Sequence, residues 1–394
     1  MSLTFAKPTS LPGLAALRGR NYFTDQEFSR EELFGLLELA VALKAIYKRQ
    51  ALTPLLGGRT LAMIFEQPST RTRISFEVGM TELGGHSQYL RPGEIHLGGH
   101  ETVGDTARVM SRLVDAIMAR TALHSTLAEL VAKATVPVIN GLTDDYDHPV
   151  QSMTDALTVL EHFGTIEGLT CAFVGKCADA MGTSVALTMT RLGCNMIMAG
   201  PPEEQMTPEI QALARANCAL SGATLSLTDD AIAAVSRADI VYTVGWWWLQ
   251  SEDEKNELRR ILGPYQVNEA LWAHTKPGAK FMHCLPAIRG EETTDAILDA
   301  PFSIVLDEAE NRKHFQKALL LALIGIDDLP ADPNLQEIGR ALLAQLQSVV
   351  PNEEDLGLVP RRAGKWLSSV LSSPIAAGAR RWRSNLSGRG GERP

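Results

Sequence analysis

The chain is poor in cysteine, carries no excess of positive charge and has no long apolar run. Its five cysteines (Cys171, Cys177, Cys194, Cys218 and Cys284) form no CxxC and no metal-type pairing with histidines. That spacing excludes a disulfide framework or a zinc site and predicts reduced thiols in a reducing compartment. No apolar run approaches the length that spans a bilayer. The opening Met1-Ser2-Leu3-Thr4-Phe5-Ala6-Lys7-Pro8 lacks the apolar core of a signal peptide, so a cytoplasmic protein without a membrane span is expected. The net charge of -9 argues against nucleic acid as a partner and favours a cationic one. The second and third glycines of GxGxxG are missing from Val174-Gly175-Lys176-Cys177-Ala178-Asp179-Ala180-Met181-Gly182. A nicotinamide dehydrogenase is therefore a poor fit.

With 394 residues, 45% of them apolar, the chain has room for two domains and extra material. Residues 1–20 read as irregular, and an amphipathic helix with an acidic first turn follows, running to about 48. Strand-like and helix-like segments then alternate at 60–65, 73–83, 109–114, 116–119, 127–134 and 137–140. A helix over 151–163 separates these from a second series at 170–174, 183–192, 195–199, 209–221, 224–228, 231–236, 240–243, 280–283 and 304–306. Such alternation predicts an α/β protein with two doubly wound parallel-sheet domains joined by interdomain helices. The expected boundaries are a first domain at 1–150, with a return helix at about 312–330, and a second at 151–311. Residues 331–394 form a C-terminal extension, with a candidate helix at 334–350. The tail at 361–394 carries eight Arg or Lys against one acid, Glu392.

One stretch carries more chemistry than any other. Ser69-Thr70-Arg71-Thr72-Arg73 lies between the apolar run 61–65 and a helical segment. Backbone N–H groups at a helix start are unsatisfied and carry partial positive charge. Three hydroxyls and two guanidinium groups placed there predict a phosphate cradle. A plain helix cap needs one hydroxyl.

Other constellations are weaker alone. His148-Pro149-Val150-Gln151 precedes the 151–163 helix; an imidazole can donate to a carbonyl oxygen, and a glutamine oxygen can accept from an amide. In isolation, a solvent-facing histidine at a helix start explains the motif better. Arg120 falls at a strand C-terminus, where open α/β sheets bind ligands. His283-Cys284-Leu285-Pro286 follows a short strand, and its proline leaves carbonyls without ladder partners. Cys284 offers a thiol nucleophile or simply a small buried side chain. Asp307-Glu308-Ala309-Glu310-Asn311-Arg312 sets acids before an arginine at an expected helix start, which makes Arg312 a candidate ligand arm.

STRTR, HPxQ and HCLP in this order and spacing resemble the aspartate/ornithine carbamoyltransferase superfamily over about residues 20–330. Tyr89-Leu90-Arg91-Pro92-Gly93-Glu94-Ile95-His96-Leu97-Gly98-Gly99-His100-Glu101-Thr102 and Tyr265-Gln266-Val267-Asn268 look most like putrescine carbamoyltransferase. The resemblance implies two α/β domains, a homotrimer with shared sites, and no metal or organic cofactor. It implies direct attack of a neutral amine on carbamoyl phosphate through a tetrahedral intermediate, with putrescine the expected amine. Carried over residue by residue, Ser69, Thr70, Arg71, Thr72, Arg73 and Arg120 would hold the phosphate. His148 and Arg120 would polarise the carbamoyl oxygen; Gln151 and the Leu285 carbonyl would hold its N–H₂. Arg312 would complete the site, His96 would enter from a neighbouring subunit, and His283, Cys284 and Pro286 would flank the amine.

The acceptor side departs from the family. Ornithine enzymes carry Asp-x-Trp-x-Ser-Met-Gly; here Val244-Gly245-Trp246-Trp247-Trp248-Leu249-Gln250 stands in its place, without the aspartate or the SMG. Asp179 occupies a position that is a neutral amide residue in the family, so the lost carboxylate is expected to return there and hold the far ammonium of a diamine. The competing reading is a helix cap. Ornithine or a modified ornithine is the alternative acceptor, and an inactive trimeric binding subunit the alternative from another class.

Overall fold

The computed structural model describes residues 14, 16–48, 50, 52, 54–91, 93–95, 97–247 and 250–325. His96, Trp248 and the whole 331–394 extension, with its candidate helix and basic tail, lie outside the described residues. The first domain runs α1 (Arg30–Lys48), β1 (Thr60–Phe65), α2 (Thr70–Glu82), β2 (His86–Leu90), α3 (Val103–Met110), β3 (Ala116–Thr121), α4 (His124–Lys133) and β4 (Val138–Thr143). Helix α5 (Pro149–Phe163) crosses to the second domain. There follow β5 (Thr170–Val174), α6 (Ala180–Leu192), β6 (Asn195–Ala199), α7 (Pro208–Ser221), β7 (Leu225–Thr228), α8 (Ala231–Val235) and β8 (Ile240–Tyr242). The domain closes with α9 (Glu252–Leu262), α10 (Glu269–Trp272), β9 (Lys280–Met282) and α11 (Asp295–Leu298), and α12 (Val305–Ile324) returns to the first domain.

Both sheets are parallel. Their strand orders are β2-β1-β3-β4 and β7-β6-β5-β8-β9. The order reverses beside β1 and β3 in the first sheet and beside β5 and β8 in the second. Ligand crevices of open α/β sheets lie outside strand C-termini at such switch points. Arg120 lies at the C-terminal end of β3, and the loops carrying Ser69, Asp179 and Trp246 leave from β1, β5 and β8. Central strands such as β1, Thr-Leu-Ala-Met-Ile-Phe, are buried along nearly their whole length, as sheets covered on both faces require.

Local signals set the crossing helices. Pro149 opens α5 at its first turn, where the missing N–H costs nothing, and Gly164 ends it in the left-handed region at φ 70°. One apolar cluster, including Leu36, Phe76, Met153, Val185 and Phe315, spans both domains, so α1, α2, α5, α6 and α12 share a core. Burying a side chain of this size contributes about 1.5–3 kcal/mol.

Three expectations are corrected here. Residues 304–306 are not a strand: Ile304 caps α12, which begins seven residues before Arg312, so Arg312 stands two turns inside the helix. Strand β2 was hidden by its polar sequence, His-Ser-Gln-Tyr-Leu, at the sheet edge. The segment at 109–114 is the end of α3 and the turn after it.

Candidate active site

The cradle is built by the turn after β1. Ser69 caps α2 by accepting from the Thr72 N–H at 3.4 Å. Thr72 is buried and faces the domain junction, and half-buried Arg71 flanks it. Arg73 does not join them. It is exposed, lies 3.9 Å over the Tyr89 ring and pairs with Glu77 at 3.4 Å. Residues two apart on a helix point nearly opposite ways, so Arg71 and Arg73 cannot both enter one cradle. The second guanidinium comes instead from Arg120, the register partner of Phe65 on neighbouring β3. Its carbonyl accepts from the Glu66 N–H at 2.9 Å, which ties β3 to the β1 turn. Its guanidinium lies 3.7 Å from Asp144, and its Nε is buried without a partner among the described residues.

The third guanidinium is Arg312, buried on α12. Its Nη2 donates to Thr72 Oγ1 at 2.6 Å and its Nη1 to Gln151 Oε1. Burial pulls its pKa down to about 10, and Arg71 adds like-charge repulsion. Arg71 and Arg120 are lowered by burial as well. His148 stands among all three. It is buried rather than solvent-facing, and its backbone N–H donates to Ser184 Oγ at 2.6 Å. Burial first, then Arg312, Arg120 and Arg71, push its pKa well below the usual histidine range. It is a neutral imidazole whose Nδ1 is buried with no partner among the described residues. One buried and two half-buried guanidinium groups around an imidazole make a site suited to an anion.

Behind this site lies a carboxyl pair that sequence reasoning missed. Gln151 Nε2 donates to Asp155 at 2.7 Å and to Glu308 at 3.1 Å. The Tyr242 hydroxyl donates to Asp155 at 3.1 Å, and the His283 N–H to Glu308 at 3.0 Å. Burial raises both acids, Asp155 to about 7. Two buried carboxyl groups so placed disfavour ionisation of both at once. One signal was legible: Asp155 lies four residues after Gln151, on the same face of α5. Glu308 lies in the first turn of α12, as expected of an acid at a helix start, and is also buried inside the junction.

The second-domain wall comes from the turns after β5, β8 and β9. His283 is fully buried, and both its ring nitrogens have partners within the protein. Its Nδ1 accepts from the Leu285 N–H at 2.9 Å and its Nε2 meets Glu292 at 3.1 Å. It shapes the turn, where Leu285 has φ 56° and the Leu285–Pro286 peptide is cis. Pro286 is exposed. Cys284 is half-buried, and burial with Glu308 and Asp155 raises its thiol well above the usual range. Those surroundings favour the neutral thiol over the thiolate. Asp179 caps α6 by accepting from the Met181 N–H at 2.9 Å, as the competing reading expects. Its carboxylate also lies in the field of Lys176 and His283. Val244 is buried in the shared apolar core, so no acid stands at that position.

Two parallel-sheet domains facing each other across an arginine-lined anion site define a group-transfer enzyme that takes a phosphorylated donor. Residues 20–161 match the carbamoyl-P binding domain of the aspartate/ornithine carbamoyltransferases, and residues 167–323 match their Asp/Orn binding domain. The chain is 45% identical to an ornithine carbamoyltransferase of Pyrococcus abyssi over 312 residues, covering 79% of this chain and 98% of the relative. The solved Pyrococcus furiosus ornithine carbamoyltransferase superposes with a TM-score of 0.76 at 45% identity, over 78% of this chain and 98% of that one. An anabolic ornithine carbamoyltransferase of Campylobacter jejuni gives a TM-score of 0.71 at 34% identity, over 78% and 99%. The chain belongs to the aspartate/ornithine carbamoyltransferase family and is a carbamoyltransferase. Among the described residues no helix is long and apolar enough to cross a membrane.

Proposed function

We propose that the enzyme transfers the carbamoyl group of carbamoyl phosphate to the side-chain amine of an aliphatic diamino acid of the ornithine type. The observation that carries the donor half is the cluster of Arg71, Arg120 and Arg312 around neutral His148. Ser69, Thr70, Thr72 and the N-terminus of α2 hold the phosphate with those arginines. His148 and Arg120 donate to the carbamoyl oxygen as it gains charge, and Gln151 and the Leu285 carbonyl accept from its N–H₂. The neutral amine attacks the carbamoyl carbon, the C–O bond to phosphate breaks, and the proton lost by the amine leaves with the products.

The relatives favour an ornithine-type acceptor over putrescine, the acceptor expected from the loop sequence. Putrescine keeps one argument, the absence of Ser-Met-Gly from the loop after β8; Val244 in place of the loop aspartate favours neither acceptor. The test supplies carbamoyl phosphate with a panel of amines and follows phosphate release together with carbamoylated product. Failure to carbamoylate any amine would overturn the reading. The site is also proposed to be shared within a homotrimer, His96 entering from a neighbour. Mixing His96→Ala with Arg71→Ala subunits should restore activity to a fraction of the mixed trimers.

A further inference from the structure

The turn after β5 carries a cation that the donor chemistry does not use. Lys176 is half-buried at the switch point of the second sheet, and its Nζ donates to the Trp246 carbonyl at 3.0 Å. Three residues on, Asp179 sits in the same turn, where Lys176 counters the effect of burial on its carboxyl. Glu204 flanks Lys176 as well. Above the turn lies Trp246, 2% exposed. Its indole Nε1–H is buried without an acceptor among the described residues. The indole comes close because Gly175 has no side chain: a Cβ there would stand 3.4 Å from Nε1. The acceptor wall thus offers an ammonium, an unsatisfied N–H donor and one carboxylate, in place of the aspartate that Val244 removes.

We infer that Lys176 and the Trp246 indole N–H bind the carboxylate of the acceptor, while Asp179 binds its α-ammonium. This rests on the carbamoyl-transfer reading and deepens it by assigning the head-group contacts. The charge order decides between acceptor classes. A diamine would bring a second ammonium towards Lys176 and leave the indole N–H unmatched. An α-amino acid presents opposite charges side by side, and each meets its complement. Lys176 is then a specificity-determining residue: it sets which amine is carbamoylated.

The competing role for Lys176 is to neutralise Asp179 and Glu204 without touching substrate. Matched pairs that differ only by a carboxylate separate the two: ornithine and putrescine, lysine and cadaverine, 2,4-diaminobutyrate and 1,3-diaminopropane. For the pair the wild type uses best, Lys176→Met should lower the ratio of kcat/KM for the amino acid to that for the diamine by about tenfold or more. Lys176→Arg should restore much of that ratio. Trp246→Phe, which removes only the indole N–H and ring area, should lower the ratio in the same direction and serves if Lys176→Met fails to fold. An unchanged ratio in both variants overturns the assignment. So does a wild type that prefers the diamine of every pair, which would leave carbamoyl transfer standing. A wild type that carbamoylates no amine overturns the functional reading and this assignment with it.

Discussion

Arg312 and Gln151 hold each other across the domain junction, the guanidinium Nη1 of one donating to the amide oxygen of the other. The same guanidinium donates to Thr72 on α2 at 2.6 Å. All three residues belong to the proposed carbamoyl phosphate site. Thr72 and Gln151 take two of the guanidinium nitrogens of Arg312, while its Nε is buried without a partner among the described residues. An anion bound there exchanges some of these partners and adds a counter-charge to three arginines that repel.

That exchange predicts stabilisation by anions. Carbamoyl phosphate, or inorganic phosphate alone, should raise the melting temperature. At one hundred times its Kd a ligand adds about 2.7 kcal/mol, which corresponds to several degrees for a chain of this size. Arg71→Ala should lose most of the shift. A variant that melts with the full wild-type shift would take Arg71 out of the cradle.

The Asp155–Glu308 pair predicts a pH dependence of stability. Burial raises both carboxyls, Asp155 to about 7. A group that binds a proton more tightly when folded stabilises fully below its unfolded pKa, about 4 for these acids. That contribution is lost as pH rises through the folded value, at up to about 1.4 kcal/mol per pH unit per proton. Glu308→Gln removes one such group. Urea unfolding from pH 5 to 8 should show the variant gaining on the wild type as pH rises. Parallel curves would mean that the pair carries no extra proton.

How far the sequence could be read depends on distance along the chain. Ser69, Arg71 and Thr72 were legible because a strand, a turn and a helix start are local. Arg73 was misplaced because a motif does not say which side of a helix each member takes; its position over Tyr89 settles that. The pair of Asp155 with Glu308 was not legible, because it joins helices 153 residues apart in sequence and carries no motif of its own. Helix α9 went unread for lack of apolar residues, although Ser251 and Glu254 form the capping box that starts it. The acceptor wall was only partly legible for a related reason. The loss at Val244 is visible in sequence, whereas the approach of Lys176 to Trp246 is not.

Gly200 tests whether the β5 turn must be held in place. A Cβ at this residue would stand 2.2 Å from the Gly175 carbonyl oxygen, a backbone atom that cannot rotate away. Gly200→Ala should therefore displace the turn bearing Lys176 and Asp179, at about 1–3 kcal/mol of stability. The KM for the acceptor should rise more than that for carbamoyl phosphate, whose cradle lies in the other domain. Equal changes in both constants would show a general loosening of the fold.

His148 gives the sharpest test of the donor site. Were it an imidazolium at neutral pH, the rate would fall as pH rose through its pKa, since a charged donor would be lost. Burial among Arg312, Arg120 and Arg71 instead keeps it neutral across the working range. A neutral ring still donates one N–H, and the absence of a partner for Nδ1 shows that the protein does not consume both nitrogens. The amine must attack unprotonated, and free amines titrate near pH 10. The logarithm of kcat/KM for the acceptor should therefore climb with unit slope between about pH 6 and 9, with no inflection near 6.5. His148→Ala should lower kcat by about 10²–10³, the usual loss for one oxyanion donor, and His148→Gln, which keeps an N–H donor, by less. An inflection near 6.5 in the wild type that vanishes in His148→Gln would show a charged histidine at work and overturn the neutral-donor assignment.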